Sequence, residues 1–307
     1  MFEFCNHWFD YSNPVSALYF NFVGQKLLHM NTQKVWYITG ASKGLGLALV
    51  KKLLDEGNKV AATSRNLKQL IAAVNVESKN FLPLEVDLTR DESVKESLEK
   101  TVQIFHSVDV IVNNAGYGIG GAIEELTDDE TRSSFDVNVF GTLNVIRNVM
   151  PYLRAQKSGH IINISSIAGF AAGTGWSIYA ATKFAIVGLS EVLADDVKEF
   201  GVKVTVVMPG AFRTEFLTAD SLVYAANKLD EYQAVTASHA RYGTMNGTQA
   251  GDPEKAAQVF IDLANMEQPP VRLFMGTDAK NRASAKIEIL AEEINSLADL
   301  SSSTDYN

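Results

Sequence analysis

Short, continuous apolar runs alternate along this chain with longer stretches whose apolar residues recur every three to four positions. Strand-like runs occupy 35–38, 59–62, 81–86, 108–112, 160–164, 202–207 and 271–274, and helical patterns occupy 45–56, 67–74, 92–105, 128–153, 179–200 and 253–264. Strands of four to six residues that are apolar throughout, rather than at every second position, are buried on both faces. Separated by helices, they predict a parallel sheet covered on both sides: an α/β, doubly wound, Rossmann-like fold of about seven strands in a single domain, with ligands bound beyond the carboxyl ends of the strands. Thr89 with Glu92 and Thr127 with Glu130 have the spacing of capping boxes at two helix starts. Ile287, Leu290, Ile294 and Leu297 share one face of a C-terminal helix over about 278–299, which packs on its own domain or on a second subunit.

Composition narrows the class. The 307 residues carry 46% hydrophobic side chains, 36 acids against 27 bases and a formal net charge of -9. A chain this acidic, with no run of Lys and Arg, is not expected to bind nucleic acid. Cys5 is the only cysteine, so a reducing, cytoplasmic setting fits. The histidines at 7, 29, 106, 160 and 239 lack metal-ligand spacing, and no metal is expected. Residues 1–29 hold eight aromatics without periodicity, and their apolar run 17–20 is too short to span a bilayer, so no membrane attachment is expected. They are read as an extension, disordered or non-native, with Met30 as the natural start; the alternative is an arm that docks on a neighbouring subunit.

Two segments carry candidate chemistry. Tyr179 and Lys183 lie four residues apart in a helical pattern, so a phenol and an ammonium project from one face toward the same molecule, with Ser166 thirteen positions earlier. A cation beside a phenol stabilises the phenolate and favours proton exchange. The same spacing also occurs on solvated helix faces, and the rest of the chain decides between them. The first strand runs into Thr39, Gly40, Ala41, Ser42, Lys43, Gly44, Leu45 and Gly46 and then a helix, where backbone amides and the helix dipole favour a pyrophosphate.

Together with Asn113-Asn114-Ala115-Gly116 after the fourth strand, Asn138, and Pro209-Gly210 after the sixth, these motifs resemble the short-chain dehydrogenase/reductase family over about residues 34–276. The resemblance implies an oxidoreductase in which Tyr179 is the general acid or base, Ser166 orients the substrate oxygen, and Lys183 binds the nicotinamide ribose and depresses the phenol pKa. Asn138 would hold a water linking Lys183 to solvent. Gly40, Ser42, Gly44, Leu45 and Gly46 would cradle the cofactor, Asp87 and Leu88 would meet the adenine, Asn114 would lie against the cofactor, and Pro209, Gly210 and Thr214 would fix the carboxamide. Residue by residue, Asn138 could instead cap a bend, Asp87 a loop, and Pro209-Gly210 could be only a turn.

In such enzymes an acid ending the second strand selects NAD. Here Ser64 and Arg65 stand at that end and Lys43 precedes Gly44, so the charges favour the 2′-phosphate of NADP(H). Residues 211–251 form an expected substrate lid; Phe212 and Phe216 from it, with Tyr117, Phe170 and Trp176, would line an apolar pocket for a carbonyl or alcohol, or would merely pack the lid onto the core. Residues 272–279 resemble the hydroxysteroid- and retinol-dehydrogenase-like branch. The resemblance also implies a homodimer or homotetramer. Two other functions remain open: an NADP(H)-binding redox sensor without turnover, and an epimerase or dehydratase of the extended relatives.

Overall fold

Residues 33–306 are described by a computed structural model, so the extension 1–29 and the expected start at Met30 lie outside the described residues. The strands are β1 (Val35–Ile38), β2 (Lys59–Ser64), β3 (Phe81–Glu85), β4 (Val110–Asn113), β5 (Gly118–Gly120), β6 (Gly159–Ile164), β7 (Val202–Pro209), β8 (Leu222–Tyr224) and β9 (Arg272–Met275). Seven of them form one parallel sheet in the order β3-β2-β1-β4-β6-β7-β9, and β5 pairs with β8 in a separate parallel ribbon.

Alternate side chains of each central strand serve opposite cores. Trp36, Ile38, Val60, Ala62, Val110 and Val112 enter one, while Val35, Tyr37, Ala61 and Ile111 enter the other. This two-residue period explains why the strands read as continuous apolar runs. The first core is closed by α1 (Gly44–Asp55) and α8 (Pro253–Asn265), the second by α3 (Asp91–Phe105) and α5 (Gly141–Gln156). Between β2 and β3 lies α2 (Leu67–Val74). The strand order reverses between β1 and β4, and this switch point sets the crevice in which the site is built.

Several local expectations are corrected. The pattern read as one helix over 128–153 is α4 (Asp128–Phe135), a π-turn over Asp136–Phe140, and then α5. The Thr127–Glu130 box forms, with the Glu130 amide donating to Thr127 Oγ1 (3.2 Å) and the Thr127 amide to Glu130 Oε2 (2.8 Å). The Thr89–Glu92 box does not: the Thr89 hydroxyl and amide both donate to Asp87 Oδ1 (2.7 and 3.0 Å), and Arg90 stands at the cap position. The remaining helices are α6 (Ser177–Asp196), α7 (Gln233–Thr244), α9 (Thr277–Ser296) and α10 (Ala298–Ser302). The segment 211–251 therefore contains β8 and α7. In α9 only Ala279 and Ala283 are buried, while Ile287, Ile294 and Leu297 are exposed, so these three do not pack on the described domain.

Candidate active site

The carboxyl ends of the strands open on a cavity of about 890 Å³. Its walls bring together Gly40, Ser42, Lys43, Gly44, Leu45, Ser64, Arg65, Asp87, Leu88, Asn114, Tyr117, Ser166, Trp176, Tyr179, Lys183, Pro209, Gly210, Phe212, Thr214 and Phe216. Residues more than 170 positions apart in sequence thus share one wall because every βα crossover returns the chain to the same sheet edge.

The turn after β1 is glycine-built for steric reasons. Gly40 has φ +64°, and a Cβ there would lie 2.7 Å from Ala115 Cα; one on Gly46 would lie 2.6 Å from Asn114 Nδ2. Gly46 therefore supports the turn from behind instead of lining the cavity. Asn114 Nδ2 donates to Thr39 O and Gly40 O (3.0 Å each), and Thr39 Oγ1 accepts from the Asn114 and Ala115 amides (3.0 Å each). At the start of α1 the Gly44 amide donates to Glu215 Oε2 at 3.3 Å. That carboxylate oxygen stands in for an anionic oxygen at a helix N-terminus, which shows that the turn accepts one. Lys43 lines the cavity while its Nζ donates to Asp220 O (3.2 Å), so its ammonium is already engaged by the segment after β7. Arg65 has no ion-pair partner among the described residues. Asp87 lines the cavity and also holds the Thr89 turn.

Ser166, Tyr179 and Lys183 lie where α6 crosses the end of β6. Ser166, just past β6, lines the cavity with Tyr179, and its Oγ accepts from the Ala168 amide at 3.1 Å. Lys183 Nζ donates to Ile164 O (3.0 Å) and lies 5.8 Å from the Tyr179 ring centre. Tyr179 and Lys183 are both buried, at 8% and 5% exposure. Burial pushes the phenol up to about 12, the nearby Ser166 side chain acting in the opposite sense, and burial pulls Lys183 down to about 8. The expected depression of the phenol by Lys183 is therefore absent: desolvation dominates Tyr179, and it also weakens the ammonium's hold on its proton.

Asn138 stands in the π-turn, behind the cavity wall. Its Oδ1 accepts from the Tyr117 amide (3.0 Å), and its Nδ2 donates to Tyr117 O (2.9 Å) and Thr182 Oγ1 (3.2 Å). It converges with Lys183 on Gly116, where a Cβ would lie 2.9 Å from Asn138 Oδ1 and 3.4 Å from Lys183 Nζ. Asn113 stays out of the cavity and donates to Asn163 Oδ1 (2.8 Å), bracing β4 on β6. The carboxylate of Asp278 accepts from the Ala211 amide (2.8 Å) and fixes the segment following Pro209 and Gly210.

Phe170 is a correction. It does not line the cavity but packs edge-on against Phe274 (5.1 Å between ring centres), where burying two rings against each other outweighs exposure to a cleft. Trp176 and Phe216 are in place, and Phe216 lies 6.0 Å from the Tyr179 ring. The cavity also has residues that the sequence reading missed: Glu215, Tyr242, Gln249, Asp278 and Arg282. Tyr242 and His239 pack on Trp176 at 4.9 and 5.0 Å between ring centres, which fastens α7 over the site. A Trp in one loop and a His-x-x-Tyr spacing on a helix were the only hints of this.

Comparison with known proteins agrees with this geometry. The sequence model described as short chain dehydrogenase matches residues 34–222. Oxidoreductase BOA17 of Botryotinia fuckeliana is 36% identical over 260 residues, covering 84% of this chain and 94% of its own length. A 3-ketodihydrosphingosine reductase of Bacteroides thetaiotaomicron is 34% identical over 239 residues, covering 78% of this chain and 86% of its own length. Among solved structures, a short-chain dehydrogenase from Streptomyces avermitilis superposes with a TM-score of 0.83 at 34% identity, over 90% of this chain and all of its own. ElxO with NADP bound superposes at 0.65 and 26% identity, over 79% of this chain and 96% of its own.

Proposed function

The chain belongs to the short-chain dehydrogenase family and is an oxidoreductase of that type; from this premise we propose that it is an NADP(H)-dependent reductase of apolar carbonyl compounds, with Tyr179 as its general acid. The observation that carries the reading is that Tyr179, Ser166 and, one helical turn on, Lys183 line the same cavity as the glycine turn.

The bound nicotinamide would supply a hydride to the carbonyl carbon. Everything else is the work of this chain. Ser166 holds the substrate oxygen beside the phenol. Tyr179, a phenol that is neutral at pH 7 and that burial keeps so to higher pH, is in the form that donates a proton to the oxygen as it becomes an alkoxide. Lys183 and the carbonyl of Ile164 fix the floor beneath it, and Asn138 positions Tyr117 and the Gly116 backbone beside Lys183. Phe212, Phe216 and Trp176 exclude water and favour an apolar substrate body. In the reverse direction Tyr179 acts as base.

Gly40, Gly44, Leu45 and the start of α1 would hold the pyrophosphate, as the Glu215 carboxylate on the Gly44 amide supports. Arg65, Ser64 and Lys43 support NADP(H) over NAD(H), since two cations and no acid stand at the end of β2 and in the turn. Two similar proteins support this reading, ElxO with NADP bound and a 3-ketodihydrosphingosine reductase, while other solved neighbours hold NAD or NADH. The test is NADPH oxidation across aliphatic, aromatic, steroid and quinone carbonyls; turnover of apolar ketones supports the reading, and no turnover with any carbonyl overturns it.

A further inference from the structure

Asp278 reaches out of its own helix. It lies in the first turn of α9, where a carboxylate can bond the amides of that helix, yet its Oδ2 accepts from the Ala211 amide (2.8 Å), past the end of β7. That amide has no other acceptor among the described residues. Two glycines keep the space for the carboxylate. A Cβ on Gly210 would lie 2.1 Å from Asp278 Oδ1, and one on Gly276, at φ +106°, would lie 2.9 Å from the same oxygen.

The bond continues a ladder that the sheet can no longer supply. β7 pairs with β9 with Pro209 opposite Met275, and the Gly210 amide donates to Met275 O (2.9 Å). At the next residue no strand is left to accept, and the Asp278 carboxylate takes the Ala211 amide instead, as a charge-assisted acceptor. On the other side Ala211 O accepts from the Gly251 amide (3.0 Å). Ala211 is therefore held at both of its polar ends.

The segment held in this way runs the length of the site. β6 pairs with β7 with Ile164 opposite Val207, so Ser166 and Pro209 leave the sheet side by side. Farther along, Thr214 reaches the glycine turn, where a Cβ on Gly44 would lie 3.6 Å from Thr214 Cβ. The segment 210–214 thus joins the end of the cavity that carries Ser166 and Tyr179 to the end that carries the glycine turn, and a dinucleotide bridging the two would lie along it. We infer that Asp278 is a positioning residue: through the Ala211 amide it sets where this segment, and with it the nicotinamide end of the cofactor, lies against Ser166 and Tyr179. This rests on the nicotinamide-dependent reading above and adds to it a residue of α9.

The test uses the full chain with Asp278→Ala, which leaves the Ala211 amide unpaired, and Asp278→Asn, which keeps an acceptor of the same shape. Calorimetric titration compares NADPH with 2′-phospho-ADP-ribose, the same molecule without its nicotinamide, and NADH with ADP-ribose, so that either cofactor preference gives a result. In the unmodified protein the whole dinucleotide binds more tightly than its fragment. In Asp278→Ala that advantage falls by about threefold or more while fragment affinity stays within about twofold, and Asp278→Asn recovers most of the advantage. The kcat for an apolar ketone falls about tenfold or more in the Ala variant, because a small displacement of the reacting ring is costly in rate. Equal losses for fragment and dinucleotide make Asp278 a purely structural residue and overturn the inference. So do an unchanged advantage in Asp278→Ala, an Asn variant as poor as the Ala variant, and a nicotinamide that adds nothing in the unmodified protein. If the unmodified protein binds neither dinucleotide, the cofactor reading has failed and the inference falls with it; if a dinucleotide binds but no ketone is reduced, the reductase reading alone has failed and the titrations decide the role of Asp278.

Discussion

Glu215 Oε2 accepts the Gly44 amide at 3.3 Å, so a carboxylate from the segment after β7 occupies the first turn of α1. Beside it, Lys43 Nζ donates to Asp220 O, which gives the same segment a second attachment to the glycine turn. If a cofactor phosphate is to take the Gly44 amide, this carboxylate must yield. Replacing Glu215 with Gln removes a negative charge that competes at the helix terminus. NADPH should then bind about two- to fivefold more tightly, the range expected of a charge near an exposed helix end. Equal affinities in the two proteins, measured by fluorescence titration, would show that the contact does not compete.

Cofactor choice is tested at Arg65, which lines the cavity without an ion-pair partner among the described residues. Arg65→Ala should weaken NADPH by roughly ten- to a hundredfold, the value of one charge-assisted hydrogen bond, and leave NADH within a few fold. Ser64→Asp should narrow or invert the preference by adding repulsion toward the 2′-phosphate. Equal losses for the two cofactors in Arg65→Ala would remove Arg65 from the phosphate site.

Lys183 predicts a pH effect on binding. Burial holds its pKa near 8, and a ribose contact made by the ammonium would raise it. Affinity for NADPH should therefore be level below pH 7 and fall as the pH rises through about 8, where the free protein loses the proton that the complex retains. Lys183→Met should bind more weakly and show a flat profile between pH 7 and 9. A profile in the unmodified protein as flat as that of the variant would contradict the contact.

The stability of the fold has its own titration. His160 is buried, its ring Nε2 bonded to Thr205 Oγ1 at 2.9 Å, and burial lowers its pKa from 6.5 to about 3. The native state thus keeps His160 neutral where the unfolded chain protonates it. Below about pH 6.5 the unfolded state binds the extra proton, so stability falls as the pH drops toward 3, by on the order of a few kcal/mol in total. His160→Gln, which cannot take that proton, should lose less stability between pH 6.5 and 4 in urea melts. Parallel losses in the two proteins would reject this assignment.

The sheet was legible because its strands are buried on both faces, so residues such as Val35-Trp36-Tyr37-Ile38 read as unbroken apolar runs. The ribbon of β5 and β8 was not, since Gly118-Ile119-Gly120 has no strand propensity and its partner Leu222–Tyr224 is three residues long. The motifs around Thr39–Gly46, Tyr179 and Lys183 gave the site because their spacing is local. What surrounds them is set by tertiary contact. Nothing in sequence places Glu215 on the Gly44 amide or Asp278 on the Ala211 amide, and nothing shows that burial of Tyr179 and Lys183 outweighs their mutual electrostatics.

The central claim is that Tyr179 moves the proton. NADPH oxidation with a saturating apolar ketone, measured for the unmodified protein and Tyr179→Phe, tests it most directly, with NADPH affinity determined alongside. Loss of the hydroxyl keeps the ring and its contact with Phe216 but leaves no transferable proton. The expected result is a fall in kcat of a hundredfold or more with NADPH affinity within a few fold; a Phe variant retaining a third or more of the activity would contradict the assignment.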